Sequence, residues 1–183
     1  VDLRAELFLN GWINIKGNFH PDKSPLIQEK EGMLCVEYER ELYFYQDDID
    51  EFLKTKAAAY TMVEYMFRES GISMKELERF YVAGAFGKHV SKESAITIGL
   101  YPDMDREHLI SAGNSSLEGA QKLLLQKKLL DDIEEILEKM VYVQFGAVGD
   151  FLQMMVAAQA IPHTDMERFP TVKKEMEKRT DKK

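Results

Sequence analysis

The chain has 183 residues, a formal net charge of −8 and a pI near 5.1, enough for one medium-sized domain that buries a core without disulfide or metal support. The acidic balance would repel a phosphate backbone and argues against nucleic acid as a partner. No apolar run reaches the roughly 18 residues of a membrane span, and the lone Cys35 has no second thiol for a disulfide or a metal knuckle, so the sequence reads as soluble, cytoplasmic and without a membrane partner.

Helical periodicity begins at Val1 with no initiator methionine, which suggests a piece of a longer polypeptide. Leu3 and Leu7 mark the apolar face of this first helix, and Asn10 with Gly11 supplies a stop. Residues 16–30, rich in Gly, Asn, Pro, Asp and Lys, predict an exposed connection, with short strands over 33–36 and 42–44 behind it. Asp47 or Asp48 can cap a long helix over 49–70, because a carboxylate accepts the unpaired N–H groups of a first turn. Phe52, Lys56, Ala59, Val63 and Met66 recur along it at three- and four-residue steps, and Gly71 ends it.

A helical turn over 74–77 leads to a strand over 80–83, whose apolar, aromatic and β-branched residues predict burial on both faces. A second strand over 109–112 feeds a helix over 115–126. This alternation predicts an α/β fold, with a mixed sheet flanked by helices. A charged helix over 130–139, a strand over 141–145 and a Met-rich helix over 150–158 follow. Beyond Pro170 the charged residues predict a helical or disordered end.

Chemistry concentrates at two junctions. In Tyr81-Val-Ala-Gly-Ala-Phe-Gly87 a strand runs into a turn whose side chains between Gly84 and Gly87 are Ala85 and Phe86 alone. Small residues let a ligand approach the backbone, and a turn at the carboxyl end of a strand offers free N–H groups to a phosphate or ribose hydroxyl. The plainer alternative is that Gly84 and Gly87 only permit tight strand-to-helix packing. Gly113-Asn-Ser-Ser-Leu-Glu-Gly-Ala120 is a second such junction. Asn114 or Ser115 caps its helix, or faces a ligand shared with the first turn across one crevice.

Other chemistries lack their residues. The dinucleotide pattern G-x-G-x-x-G is missing, and Asp103 and Asp105 follow Pro102 in a loop rather than ending a strand. There is no Walker pattern and no Gly-x-Ser-x-Gly elbow. His20, His89, His108 and His163 are scattered without metal-ligand spacing, so no metal site is expected.

Taken in order, several stretches resemble the C-terminal region of the reductive activators of corrinoid proteins, iron-sulfur ATPases of the sugar-kinase, heat-shock chaperone and actin superfamily. They are Asp2-Leu-Arg-Ala-Glu-Leu7, Asp47-Asp-Ile-Asp50 with Lys54-Thr-Lys-Ala-Ala58, the two junctions above, Ala95-Ile-Thr-Ile-Gly-Leu-Tyr-Pro102, and Ile161-Pro-His-Thr-Asp165 with Phe169-Pro170. The resemblance covers nearly the whole chain. It implies an actin-like (ribonuclease H-like) ATPase lobe over 1–170 with a tail over 171–183. It also implies ATP with Mg2+ as cofactor and an N-terminal [2Fe-2S] domain that delivers an electron. Nucleotide turnover would then drive reduction of cob(II)amide to cob(I)amide in a corrinoid protein of methyl transfer. The implied partners are that corrinoid protein and the N-terminal lobe and iron-sulfur domain of the same polypeptide, with a homodimer left open.

By the same resemblance Gly84, Ala85, Phe86 and Gly87 match the adenosine motif, and Gly113, Asn114 and Ser115 the adjoining segment. Lys56 is a weaker match for an adenosine or phosphate contact, with an ordinary surface lysine as the alternative. Departures bound the reading. The cysteines of an iron-sulfur centre and the Asp-x-Gly phosphate turns are missing, so no catalytic Asp can be named and the piece is expected to be inactive alone. The alternatives are a small-molecule kinase of the same superfamily and a non-catalytic protein-interaction module.

Overall fold

The computed structural model describes residues 1–147 and 149–180. Helix α1 (Asp2–Leu9) turns Ala5, Leu7 and Phe8 into the core. An antiparallel sheet follows in the order β1 (Ile27–Lys30), β2 (Met33–Glu39) and β3 (Leu42–Tyr45). Ile27 pairs with Val36, and Val36 with Phe44, which gives the sheet one apolar face against the core. β1 lies inside the segment whose composition predicted a loop. Its single inward residue, Ile27, is too little for periodicity to show, and the ladder with β2 makes it a strand.

Helix α2 (Gln46–Ser70) is 25 residues long and starts ahead of the expected cap. Asp48 sits inside the first turn, where its carboxylate accepts the backbone N–H of Tyr45 at 2.9 Å. Gly71, in the left-handed region, ends the helix with its N–H on the Arg68 carbonyl. The buried stripe is Ile49, Leu53, Lys56, Ala57, Tyr60 and Thr61. It runs one step away from the stripe read in the sequence: Ala59 and Met66 are exposed, because the face that meets the core carries a lysine and a threonine among its apolar residues. Each fully buried Ile or Leu here contributes about 1.5–3 kcal/mol.

The next unit is β4 (Phe80–Val82), α3 (Gly84–His89), α4 (Lys92–Thr97) and β5 (Leu109–Ser111), with β4 and β5 parallel. The α/β class holds, with the strands divided between an antiparallel and a parallel sheet. Burial on both faces does not hold for β4, where Tyr81 is 58% exposed. Two exposed helices, α5 (Ser115–Leu125) and α6 (Leu129–Lys139), follow. No strand forms over 141–145. Val141 and Tyr142 project to solvent with no strand edge beside them, while Phe145 turns inward to the rings of Tyr65 and Phe151 at 5.8 and 5.7 Å.

Helix α7 (Phe151–Ala158) lies along α2, and α8 (Pro170–Thr180) closes the described chain. The charged end is thus helical as far as it is described, and residues 181–183 lie outside the described residues. Val172 of α8 is buried, and the Asp103 carboxylate accepts both the N–H and the hydroxyl of Thr171 at 2.7 Å. Among the described residues no helix is long and apolar enough to cross a membrane.

Candidate nucleotide site

The two glycine junctions stand at the carboxyl ends of the parallel pair. Tyr81 is in register with Ile110, and Val82 with Ser111. The ladder then continues past the strands. Ala112 donates its N–H to the Val82 carbonyl at 2.9 Å, and Gly84 donates to the Gly113 carbonyl at 2.7 Å. A single backbone hydrogen bond therefore joins Gly84 directly to Gly113, and the junctions form one ledge. This is where a parallel α/β sheet binds ligands, because the following helices begin there and their first N–H groups have no partner within the helix.

Gly84 and Gly87 do different work. Gly84 has φ +70°, and a Cβ built on it would meet nothing within 4 Å. Gly113 has φ +59°, and its nearest neighbour would be a Glu118 carboxylate oxygen at 3.7 Å. Both leave open ground over the ledge. Gly87 is a packing glycine: a Cβ there would stand 2.0 Å from the Val82 carbonyl oxygen, so α3 lies directly on the end of β4. Ala85 and Phe86 are exposed, Phe86 by 59%, close in the chain to the open Gly84. The Asn114 side chain caps α5 by accepting the Leu117 N–H at 3.1 Å, and Ser115 is the first residue of that helix.

Lys56 belongs elsewhere, contrary to both expectations for it. It is 1% exposed, and its ammonium donates to the carbonyls of Ala158, Ala160 and Pro162 at 2.6, 2.7 and 2.5 Å. Three acceptors take all three protons, which leaves none for a phosphate. Burial pulls its pKa down to about 7, whereas three carbonyls that only an ammonium can satisfy together favour the charged form. Lys56 thus ties the middle of α2 to the end of α7 and to the cis Ile161–Pro162 peptide.

At Gly84 and Gly113 the ledge carries no Cβ, which leaves its backbone open to a ligand. An iron-sulfur cluster finds no set of ligands among the described residues. Among the described residues no three His, Cys, Asp or Glu side chains gather to hold a metal. Cys35 is buried, with its thiol on the Gln28 carbonyl and its pKa raised by burial.

Two contributors were not legible as such. Gly99, at φ +75°, presses its backbone on Pro162: a Cβ would stand 2.1 Å from that carbonyl oxygen and 3.0 Å from Lys56 Cε. Tyr101 reaches the ledge by donating its phenol to the Phe86 carbonyl at 3.2 Å. Its position in an apolar run was the available signal, since a buried tyrosine hydroxyl needs a partner.

Comparison with known proteins decides the family. The family model described as the C-terminal domain of RACo, the ASKHA domain, matches residues 1–173. The chain belongs to this family. A solved reductive activator for corrinoid, iron-sulfur protein is similar with a TM-score of 0.82 and 33% identity, covering 93% of this chain and 28% of that one. The [Co(II) methylated amine-specific corrinoid protein] reductase of Methanosarcina barkeri is 35% identical over 94 residues, 51% of this chain and 17% of the relative. The corrinoid activation enzyme RamQ of Eubacterium limosum is 30% identical over 144 residues, 70% of this chain and 24% of the relative. The mixed α/β lobe is therefore an ASKHA lobe, and the chain spans under a third of each of these relatives.

Proposed function

We propose that this chain is the adenosine-binding half of an ATP-dependent activator that returns corrinoid proteins from cob(II)amide to cob(I)amide. The observation that carries the reading is the Gly84 N–H to Gly113 O hydrogen bond, which merges the two glycine turns into one ledge in a family of corrinoid activators. Gly84, Ala85, Phe86, Gly113 and Ser115 line the base and ribose, while Gly87 and Asn114 hold the turn and helix that carry them. The positive end of α5 adds favourable potential for the sugar-phosphate side.

This division assigns orientation and binding to the present residues. Mg2+, the groups that orient the attacking water, and the [2Fe-2S] cluster that supplies the electron come from other parts of a longer polypeptide. The partners are then a corrinoid protein and those other parts, in the cytoplasm, and a second copy of the chain is compatible with the exposed surface. The relatives above are named for corrinoid reduction or activation, and neither the kinase nor the interaction-module alternative draws support from them.

Calorimetry of the full-length protein with ATP and ADP tests the placement. Gly84→Arg fills the open ground over the ledge and should abolish binding of both. Unchanged binding in that variant places the nucleotide elsewhere, and absence of binding in the unaltered protein removes the ATP reading altogether. Loss of cob(I)amide formation, followed by its absorption with a chemical reductant present, should accompany loss of binding.

A further inference from the structure

Helix α3 carries the exposed half of the ledge, yet it has only six residues and buries none of them. A helix so short is unstable alone, so its position is set from outside. At its start the Gly84 N–H is held by the Gly113 carbonyl, and at its middle Gly87 rests on Val82. Both ties are backbone to backbone and run to the parallel pair. Among the described residues one side chain hydrogen-bonds to α3, and it comes from a different part of the molecule: the Tyr101 phenol donates to the Phe86 carbonyl at 3.2 Å.

Tyr101 is well placed to act as a strut. Its ring is 6% exposed and packs at 6.0 Å from the ring of Phe80 on β4. Its backbone is fixed by the N–H bonds of Leu100 and Tyr101 to the Ala95 carbonyl, and the preceding Gly99 is wedged on Pro162, beside Lys56. Burial also raises the pKa of the phenol, so it remains a donor through the neutral range. The Phe86 carbonyl is thereby anchored to the densely packed half of the molecule while the Phe86 ring faces solvent.

We infer that Tyr101 is a positioning residue for nucleotide binding, holding the Phe86 backbone so that the turn from Gly84 to Gly87 keeps the height a nucleoside di- or triphosphate needs. This rests on the reading of the ledge as the adenosine site. Tyr101→Phe keeps the ring packing against Phe80 and deletes only the hydroxyl, so folding should persist. In full-length protein the Kd for ATP and ADP should rise about three- to tenfold, the consequence of losing one net hydrogen bond from the bound arrangement. Hydrogen exchange at the amides of Ala85, Phe86 and Gly87 should accelerate without nucleotide, while α2 amides stay as they are.

The outcomes separate the two readings. If unaltered protein binds neither nucleotide, the adenosine reading fails, and Tyr101 has nothing to position. If unaltered protein binds and Gly84→Arg does not, but Tyr101→Phe binds with unchanged Kd and unchanged α3 exchange, the strut is wrong and the site stands. If Tyr101→Phe weakens binding only in step with a fall in the thermal midpoint and faster exchange throughout α2, Tyr101 is an ordinary core residue and the inference is overturned.

Discussion

The half of the molecule around α2 and the half that carries the ledge are packed in different ways. α1, the antiparallel sheet, α2, residues 95–102 and the stretch from Ala158 to Val172 supply nearly all the buried side chains. Between residues 62 and 94, and again between 110 and 157, no described residue is buried. Yet the second half is not polar. α6 places Leu130, Ile136 and Leu137 on one side at 52%, 58% and 60% exposure, and its opposite side is acidic. Tyr81 and Phe86 also stand open, and a parallel strand pair is normally covered on both faces. One half is a finished core. The other has the composition of a contact surface, and the ledge is built on it.

That contrast puts the largest loss of stability in the first half. Lys56→Met leaves three buried carbonyls without their shared donor. Each orphaned acceptor costs about 1–3 kcal/mol, so a destabilisation of roughly 3–5 kcal/mol is expected in urea unfolding. A loss below about 1 kcal/mol would mean that α2 and α7 do not depend on the lysine, and that the finished half is looser than its burial indicates.

A pair of glycines sharpens the same contrast at smaller amplitude. Gly99→Ala and Gly84→Ala both place an L side chain at positive φ, and that shared strain costs about 1–2 kcal/mol. Only Gly99→Ala adds a collision, with the Pro162 oxygen 2.1 Å from the new Cβ. The thermal midpoint should therefore fall further for Gly99→Ala, by the equivalent of roughly 2 kcal/mol beyond the Gly84 variant. Equal shifts would show that the Pro162 contact relaxes freely.

These residues also show what the sequence could and could not reveal. The ends of α1, α2 and α5 were legible because stop and cap signals act within a turn or two: Asn10, Gly71 and Asn114 sit where such residues belong. The two junctions were legible for the same reason, as local runs of small residues after a strand. The share of each residue in the site was not. Gly84 and Gly87 look alike in the sequence, and only the position of the Val82 carbonyl makes one a clearing and the other a packing contact. Lys56 was misread because its partners lie more than a hundred residues away, and no local pattern marks a lysine whose acceptors are backbone oxygens. The false strand over 141–145 had β-favouring residues but no edge to pair with.

A smaller, pH-dependent effect is expected where Arg106 joins Glu93 of α4 to Thr171 of α8. The Arg106 guanidinium binds both oxygens of Glu93 at 2.7 Å and holds its carboxyl below the usual range, against the opposing effect of partial burial. A folded-state pKa below the unfolded one stabilises the native state above the unfolded value. That contribution is lost as pH falls through the folded value. The Glu93 side chain is largely exposed, so solvent screening keeps it under about 1 kcal/mol. Urea midpoints measured downward from neutral pH should fall less steeply below the ordinary glutamate range for Glu93→Gln than for the unaltered chain. Parallel curves would mean that the pair does nothing for folding.

The smallest effect tests the contrast from the other side. Ile136→Ser with Leu137→Ser removes two large apolar side chains, a change that in a core costs several kcal/mol. On α6 both are already in water in this chain, and α6 packs chiefly against α5. The unfolding free energy of the 183-residue chain should therefore shift by less than about 0.5 kcal/mol. Binding of a hydrophobic dye to the native state should fall, because the stripe it reports is interrupted. In a full-length protein the same pair of substitutions should cost more than in the short chain if another part of the polypeptide covers the stripe. A loss above about 1.5 kcal/mol in the short chain itself would mean that α6 already shares a core, and the division between a finished half and an open one would not hold.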